Sequence, residues 1–253
     1  MPNLSILMPV FNERPTVERA IHDALAADLP VEHELIVVDD GSYDGTERIL
    51  AETSWPARVS FHRHPTNLGK GAAVRTALQH ARGDLAAILD ADLEYRADDL
   101  AELLPPLLDG EANVVFGVRA FEGHTSHSYL YVQGNRAVTT VANLLFNVYL
   151  KDIMTCHKVM KTDLFRSLPL QARGFDIEPE ITARLLQAGE RVYETPVSYR
   201  ARRTEEGKKL TALDGFRVVR TLLRCRLSGR YTPDRAGVTP VGNRSTPPGS
   251  RSG

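Results

Sequence analysis

Short apolar runs alternate with helix-like stretches through the first half of the chain, and this alternation limits the fold more than any other feature of the sequence. Strand-like runs fall at residues 4–10, 34–38, 59–63, 85–89 and 113–117, and helix-like stretches at residues 16–29, 45–53, 71–81 and 98–108. Strands that alternate with helices predict βαβ units and a largely parallel sheet. A run as continuously apolar as residues 35–38 fits a strand covered on both faces. The fold class read from this pattern is α/β, a mostly parallel central sheet flanked by helices. Ligands of such sheets bind beyond the C-terminal ends of the strands. Chemistry is therefore expected in the residues that follow each run.

The run at residues 85–94 reads Leu-Ala-Ala-Ile-Leu-Asp-Ala-Asp-Leu-Glu and releases Asp90, Asp92 and Glu94 at alternate positions. Side chains two apart on an extended segment point the same way, so the spacing predicts three oxygen donors converging where the strand leaves the sheet. Hard oxygen ligands suit Mg²⁺ or Mn²⁺ carrying substrate phosphates. A solvated acidic turn is the plain alternative. Asp39 and Asp40 follow the second run as Asp90 and Asp92 follow the fourth, so both pairs are expected to face one crevice.

Other strand ends carry polar groups of the same kind. Pro9-Val10-Phe11-Asn12-Glu13 precedes Pro15 and Thr16, where a helix can start, and offers a seat for a nucleotide base or ribose. An ordinary turn capped by Asn12 reads equally well. In Asp39-Asp40-Gly41-Ser42-Tyr43-Asp44-Gly45-Thr46 the carboxylates can bond base or ribose, and the glycines permit close backbone approach. Asn67-Leu68-Gly69-Lys70-Gly71 opens a helix with backbone amides and an ammonium close together, an arrangement able to hold an anion, although it lacks P-loop spacing. Lys70 as a solvated lysine at a helix start stays open. Arg119 and Arg136 are candidates for phosphate contact, since guanidinium is permanently charged and can engage two oxygens. The cationic run from Tyr199 to Lys209, with Arg202 and Lys208, fits a phosphate-gripping loop or a salt-bridged surface loop. Asp176 and Glu178 can serve a hydroxyl acceptor as base, position an acceptor, or charge the N-terminus of the helix that follows. His62, His64 and His80 form no ligand pattern with the acids, and His157 lines an acceptor pocket or fills the core.

The second half reads as the acceptor side, with a helix over residues 134–150, a segment at 155–161, a helix near 178–188 and a strand at 192–197. The apolar stretch at 138–150 falls short of the roughly 20 residues that span a bilayer; the segment at 134–150 reads first as a buried core helix, with a face that receives a prenyl chain or touches a bilayer as the alternative. Residues 1–231 are expected to form the catalytic domain and residues 232–253, rich in Pro, Gly, Ser, Thr and Arg, a disordered tail. With 253 residues and 42% hydrophobic content, the chain can bury one sizeable core or two small ones. A net charge of −1 gives no global attraction to nucleic acid. Cys156 and Cys225 match no metal or redox spacing, and no secretion signal precedes the first strand, so a reducing, cytoplasmic setting is expected, with peripheral contact at the cytoplasmic face of a membrane left open.

Taken in order, Pro9 to Glu13, Asp39 to Thr46, Asn67 to Ala73, Asp90 to Glu94, Gly117 to Arg119, Thr155 to Lys161, Phe175 to Glu180 and Pro196 to Lys209 resemble the family 2 glycosyltransferases of GT-A fold, specifically the dolichol- or polyprenol-phosphate mannose and glucose synthase group, over roughly residues 4–225. The resemblance implies a metal-dependent, inverting hexose transfer from a nucleotide-diphosphate sugar (GDP-mannose or UDP-glucose) to polyprenyl or dolichyl phosphate, with Mg²⁺ or Mn²⁺. It implies that Pro9, Phe11, Asn12, Glu13, Asp39, Asp40, Lys70, Asp90 and Ala91 face the nucleotide. Asp92 and Glu94 would hold the metal with Asp90 in support, and Arg119 and Arg202 would complete the catalytic set. Arg136, Asp176, Glu178, Arg202 and Lys208 would meet the acceptor. Two departures stand out: many mannose synthases of the group carry glutamine where this chain has Glu94, and some carry C-terminal membrane helices. A phosphate acceptor also explains the lack of an obvious general base, because its oxygen is already anionic. Transfer to a sugar or small-molecule hydroxyl is the alternative within enzymes. A nucleotide-sugar-binding protein without turnover is disfavoured by the intact acids, and a nucleotidyltransferase fits the motifs poorly.

Overall fold

The structure, a computed structural model, describes residues 3–119, 129–200 and 212–229. In chain order the elements are β1 (Leu4–Val10), α1 (Val17–Ala26), β2 (His33–Asp39), α2 (Thr46–Glu52), β3 (Val59–Arg63), α3 (Lys70–His80), β4 (Leu85–Ile88), α4 (Leu100–Leu103), α5 (Pro105–Leu108), β5 (Val114–Arg119), α6 (Tyr129–Phe146), β6 (Lys158–Lys161), α7 (Thr162–Ser167), α8 (Ile177–Gln187), β7 (Tyr193–Val197) and α9 (Ala212–Leu227). The strands form one sheet in the order β3-β2-β1-β4-β6-β5-β7. All neighbours pair in parallel except β6, which runs antiparallel to both β4 and β5.

Local chemistry explains most boundaries. Helix α1 buries Val17, Ala20, Ile21 and Ala24, a stripe of helical period facing the sheet. Each large member contributes about 1.5–3 kcal/mol by leaving water. The helix expected over residues 98–108 is broken instead into a 3₁₀ turn at Ala97–Asp99, α4 and α5. Pro105 and Pro106 cause the break: a proline lacks the amide hydrogen that would continue the helix, and its ring clashes with the carbonyl four residues back, so Pro105 is accommodated at the first turn of a new helix.

Register places the site. Val10 of β1 pairs with Asp39 of β2, Asp39 with Arg63 of β3, and Leu7 with Ile88 of β4. The segments after β1, β2 and β4 therefore leave the sheet along one edge. Because β6 is antiparallel, with Ala87 opposite Val159 and Phe116 opposite Lys158, its leading residues arrive at that same edge.

A large core surrounds the sheet, and a smaller one joins α6, α8 and α9 through Ala142, Leu150, Ile153, Ala183, Val218, Leu222 and Cys225. Leu145 and Phe146 pack against this second core, whereas Leu144 is 79% exposed. Leu145 and Phe146 thus fit the buried-helix reading of α6, and of residues 144–146 only Leu144 faces outward for the alternative lipid contact. Helix α9 has no counterpart among the elements read from the sequence. Cys156 and Cys225 are both free and buried. Among the described residues no helix is long and apolar enough to cross a membrane. The expected tail, residues 232–253, lies outside the described residues.

Candidate active site

At the shared strand edge lies a cleft of about 470 Å³. Its first-half wall includes Pro9, Phe11, Glu13, Asp40, Lys70, Asp90, Ala91, Asp92, Glu94 and Tyr95, and its second-half wall includes Arg119, Tyr131, Cys156, Phe175, Glu178 and Tyr199. Asn12, Asp39, Arg136 and Asp176 are not part of this lining. Arg202 and Lys208 lie outside the described residues.

Asp90, Asp92 and Glu94 do meet at the cleft, but not by strand alternation. Strand β4 stops at Ile88, and Leu93 adopts φ +60°, so the acids sit on a turn rather than an extended segment. The left-handed conformation of a leucine costs on the order of 1 kcal/mol. The Asp92 Oδ1 atom accepts the Glu94 amide at 3.0 Å, a local bond that helps hold the turn. Glu94 Oε2 accepts the Tyr199 hydroxyl at 2.9 Å, and the Glu94 carbonyl accepts the Arg200 amide at 2.8 Å, which ties the acidic turn to the chain just after β7. Asp90 is taken by Lys70, whose Nζ lies 2.7 Å from its Oδ2. Among the described residues, no cluster of three or more His, Cys, Asp or Glu forms a cage for a metal ion.

The two glycine-rich loops serve one another. Asp40 is buried; its Oδ1 accepts the Leu68 amide at 2.9 Å and lies 2.6 Å from His64 Nδ1, and its Oδ2 accepts the Gly69 amide at 2.7 Å. The amides of Gly71 and Ala72 donate to the Arg173 carbonyl. The anion expected at the start of α3 is therefore the protein's own Asp40 carboxylate, and the helix's first amides face backbone rather than an open ligand site. This corrects the expectation that the loop of residues 67–71 cradles a substrate anion with its amides. Asp39 is engaged by the Ser42 amide at 3.0 Å and by Arg63 Nε at 3.2 Å, so it organises its own loop. Asn12, at φ +52°, accepts the Tyr43 amide through Oδ1 and donates its amide to Ser42 Oγ. A Cβ on Gly41 would stand 2.5 Å from the Thr66 carbonyl carbon, so only glycine fits between the loops.

On the second-half side, Glu178 is buried and bonded to two lysines, with Oε2 at 2.7 Å from Lys158 Nζ and Oε1 at 3.0 Å from Lys70 Nζ. Burial opposes its charge, but Lys158 and then Lys70 outweigh it and hold its pKa below the usual carboxylate range. A carboxylate so engaged does not take a proton from a hydroxyl, which removes the reading of Glu178 as base. Asp176 stands at the N-terminus of α8 without a side-chain capping bond, and instead accepts the Thr221 hydroxyl of α9 at 3.0 Å. Arg136 is exposed on α6, because that helix turns Asn135 and Thr139 inward, so the expected phosphate contact at the crevice is not made.

Arg119 is buried beside the cleft and spent on protein partners. It contacts Asp152 through Nε at 2.6 Å and Nη2 at 2.8 Å, and donates to Asn135 and to the Tyr131 hydroxyl. It also lies over the Tyr199 ring at 5.1 Å. Its fork geometry is used to neutralise buried Asp152, which corrects the expectation of an arginine directed at phosphate. His157 is fully buried, stacked on Tyr95 with ring centroids 4.6 Å apart, and burial lowers its pKa to about 4. It fills the core as a neutral ring. The residues that sequence reasoning missed are Tyr95, Tyr131, Asp152, Lys158 and Tyr199; only Tyr199 and Lys158 carried a signal, as members of ordered motifs.

The comparisons agree with this architecture. A family model described as glycosyl transferase family 2 matches residues 5–168. The low-salt glycan biosynthesis hexosyltransferase Agl6 of Haloferax volcanii is 28% identical over 231 residues, covering 88% of this chain and 53% of that protein. The same organism's glycosyltransferase AglJ is 27% identical, covering 77% of this chain and 62% of its own. This chain thus spans about half of the first relative and less than two-thirds of the second. The polyprenol monophosphomannose synthase of Mycolicibacterium smegmatis is 26% identical over 210 residues, covering 78% and 77% of the two chains. Among solved structures, glucosyl-3-phosphoglycerate synthase of Mycobacterium tuberculosis, in complex with Mn²⁺, UDP-glucose and phosphoglyceric acid, superimposes with a TM-score of 0.66 at 23% identity, over 92% of this chain and 81% of that one. That likeness carries the fold, the GT-A arrangement of glycosyltransferases.

Proposed function

The chain belongs to glycosyl transferase family 2, and on that premise we propose that it moves a hexose from a nucleotide-diphosphate sugar to a polyprenyl phosphate, with inversion at the anomeric carbon. One observation carries the choice of acceptor: the carboxylates between the two walls of the cleft are already committed, Asp90 to Lys70 and Glu178 to both lysines. A hydroxyl acceptor needs a base to remove its proton, whereas a phosphate oxygen attacks as the anion it already is. The named polyprenol relative adds a precedent of the same class.

In this reading Pro9, Phe11 and Glu13 receive the nucleotide, with Lys70, Asp90 and Ala91 beneath its diphosphate. Asp92 and Glu94 would hold Mg²⁺ or Mn²⁺. Two carboxylates suit this task, since Mg²⁺ is ordinarily bound by one or two protein carboxylates together with substrate phosphates and water, not by an all-protein cage. When bound, the cation neutralises charge on the departing nucleoside diphosphate. The acceptor enters from the side of Tyr131, Phe175 and Tyr199. Leu144, Phe216 and Leu227, each more than two-thirds exposed on α6 and α9, offer apolar contact with the lipid surface in which such an acceptor resides. The reaction then takes place at a membrane face, on the cytoplasmic side.

The test is incubation of purified protein with Mg²⁺ or Mn²⁺, polyprenyl phosphate and a panel including GDP-mannose and UDP-glucose, reading released nucleotide and glycosylated lipid. Asp92→Ala should abolish product while leaving the protein folded, with only a small fall in melting temperature from the lost bond to the Glu94 amide. Turnover retained in that variant would refute the metal assignment, and product on a sugar or small-molecule hydroxyl in place of the lipid would overturn the acceptor.

A further inference from the structure

Asp90, Lys70, Glu178 and Lys158 form one line of alternating charge that runs from the cleft into the core. Asp90 Oδ2 lies 2.7 Å from Lys70 Nζ, Lys70 lies 3.0 Å from Glu178 Oε1, and Glu178 Oε2 lies 2.7 Å from Lys158 Nζ. Exposure falls along the line, with side-chain values of 19% at Asp90, 10% at Lys70, 3% at Glu178 and 0% at Lys158. Lys158 forms no part of the cleft lining. It is held by the Ile153 and Thr155 carbonyls and sits over the Phe116 ring at 4.7 Å.

We propose that Lys158 is a positioning residue that keeps the Lys70 ammonium available to the donor diphosphate. This rests on the reading of the cleft as a nucleotide-diphosphate site. Lys70 is the outermost cation of the line and stands between two carboxylates. With Lys158 on the far oxygen of Glu178, the charges of the line cancel, and Lys70 is shared between Asp90 and Glu178. Without that deep cation, Glu178 becomes a buried charge with Lys70 as its remaining partner in the line, and buried charges of this kind are strongly compensated by whatever cation can reach them. Lys70 is then drawn toward Glu178, and the floor under the diphosphate acquires a net negative charge that opposes an anionic ligand. Burial works against the Lys158 ammonium, and Glu178 is what opposes that loss. The topology explains the placement. Only an antiparallel β6 brings its first residue to the strand edge, where it can back a site built mainly from the ends of parallel strands.

The experiment is titration calorimetry of GDP and of UDP, each with Mg²⁺, against wild type, Lys158→Arg, Lys158→Met and the double variant Lys158→Met/Glu178→Gln. Melting curves and near-ultraviolet circular dichroism check that each is folded. Whichever nucleotide wild type binds, Lys158→Met should bind about tenfold or more weakly, while Lys158→Arg and the double variant should stay within about threefold of wild type, because each restores the charge balance. If Lys158→Met does not fold, the double variant decides: recovery of both fold and binding supports the proposal. Unchanged binding in Lys158→Met, or equal loss in a folded double variant, overturns it. Wild type that binds neither nucleotide would instead overturn the nucleotide reading on which the proposal stands.

Discussion

Replacing Asp40 with alanine should unfold the protein more readily rather than merely weaken nucleotide binding. The Asp40 carboxylate accepts the Leu68 and Gly69 amides at 2.9 and 2.7 Å and contacts His64 Nδ1 at 2.6 Å, all around a residue that is 2% exposed. Hydrogen bonds to a charged group contribute about 1.5–3 kcal/mol each, and a buried donor left without a partner costs about 1–3 kcal/mol. The losses share one loop and do not simply add, so about 3–5 kcal/mol is expected for Asp40→Ala. At about 2–4 °C per kcal/mol for a chain of this size, the melting temperature should fall by roughly 10 °C. Asp40→Asn keeps one acceptor oxygen but turns an amide donor toward a backbone amide, so it should lose roughly half as much. Calorimetric melting and urea denaturation, run beside GDP and UDP titrations, separate the two roles. If Asp40→Ala melts within about 2 °C of wild type while losing nucleotide binding, Asp40 is a ligand for the nucleotide and the loop-holding argument is wrong.

Gly69 sits at φ +97°, where an added Cβ would stand only 2.2 Å from the Arg173 carbonyl oxygen, so Gly69→Ala should cost more than about 3 kcal/mol, whereas Gly110→Ala, at φ +72° with open space around it, should cost only about 1 kcal/mol; paired urea denaturation curves check the difference. Because burial depresses His157 to about 4 from its ordinary 6.5, the folded state resists the proton that the unfolded state accepts. Stability tied to this residue is therefore present above about pH 6.5 and is lost as pH falls toward 4, by about 3 kcal/mol in all. His157→Phe should flatten the pH dependence of unfolding in that window, and an unchanged slope would contradict it. On vesicles containing anionic lipid, serine at Leu144, Phe216 and Leu227 together should reduce flotation without lowering the melting temperature, whereas polar changes at Leu145 and Phe146 should lower the melting temperature; flotation equal to wild type removes the lipid-surface reading.

Much of the donor half is legible in the residues alone. The runs that form β1 through β5 stand out almost to the residue because each is short and all but β3 are largely apolar, and register then brings the ends of β1, β2 and β4 to one edge. The break at Pro105 and Pro106 is legible in principle, since proline's missing donor is a local property. Other features have no local signature. Residues 155–161 read only as a segment; that residues 158–161 form a strand, and in which direction, emerges from the sheet, and direction decides that Lys158, not Lys161, meets the cleft edge. The short apolar spacing of α9 is mixed with arginines, so its buried face emerges only once α6 and α8 supply a surface for Val218, Leu222 and Cys225.

The roles of the charged residues divide in the same way. The strand-end rule brought Asp40, Asp90, Asp92 and Arg119 to one crevice, because strand ends of a parallel sheet share an edge, but it brought Asp39 and Arg136 there too, and neither lines it. Which charges remain for a ligand was decided only by tertiary structure. A carboxylate or guanidinium spends its bonds on the nearest partner, and for Asp40, Arg119 and Glu178 those partners come from segments 28, 33 and 20 residues away. No pattern along the chain encodes that pairing, since it depends on distances of a few ångströms set by the packing of the whole sheet.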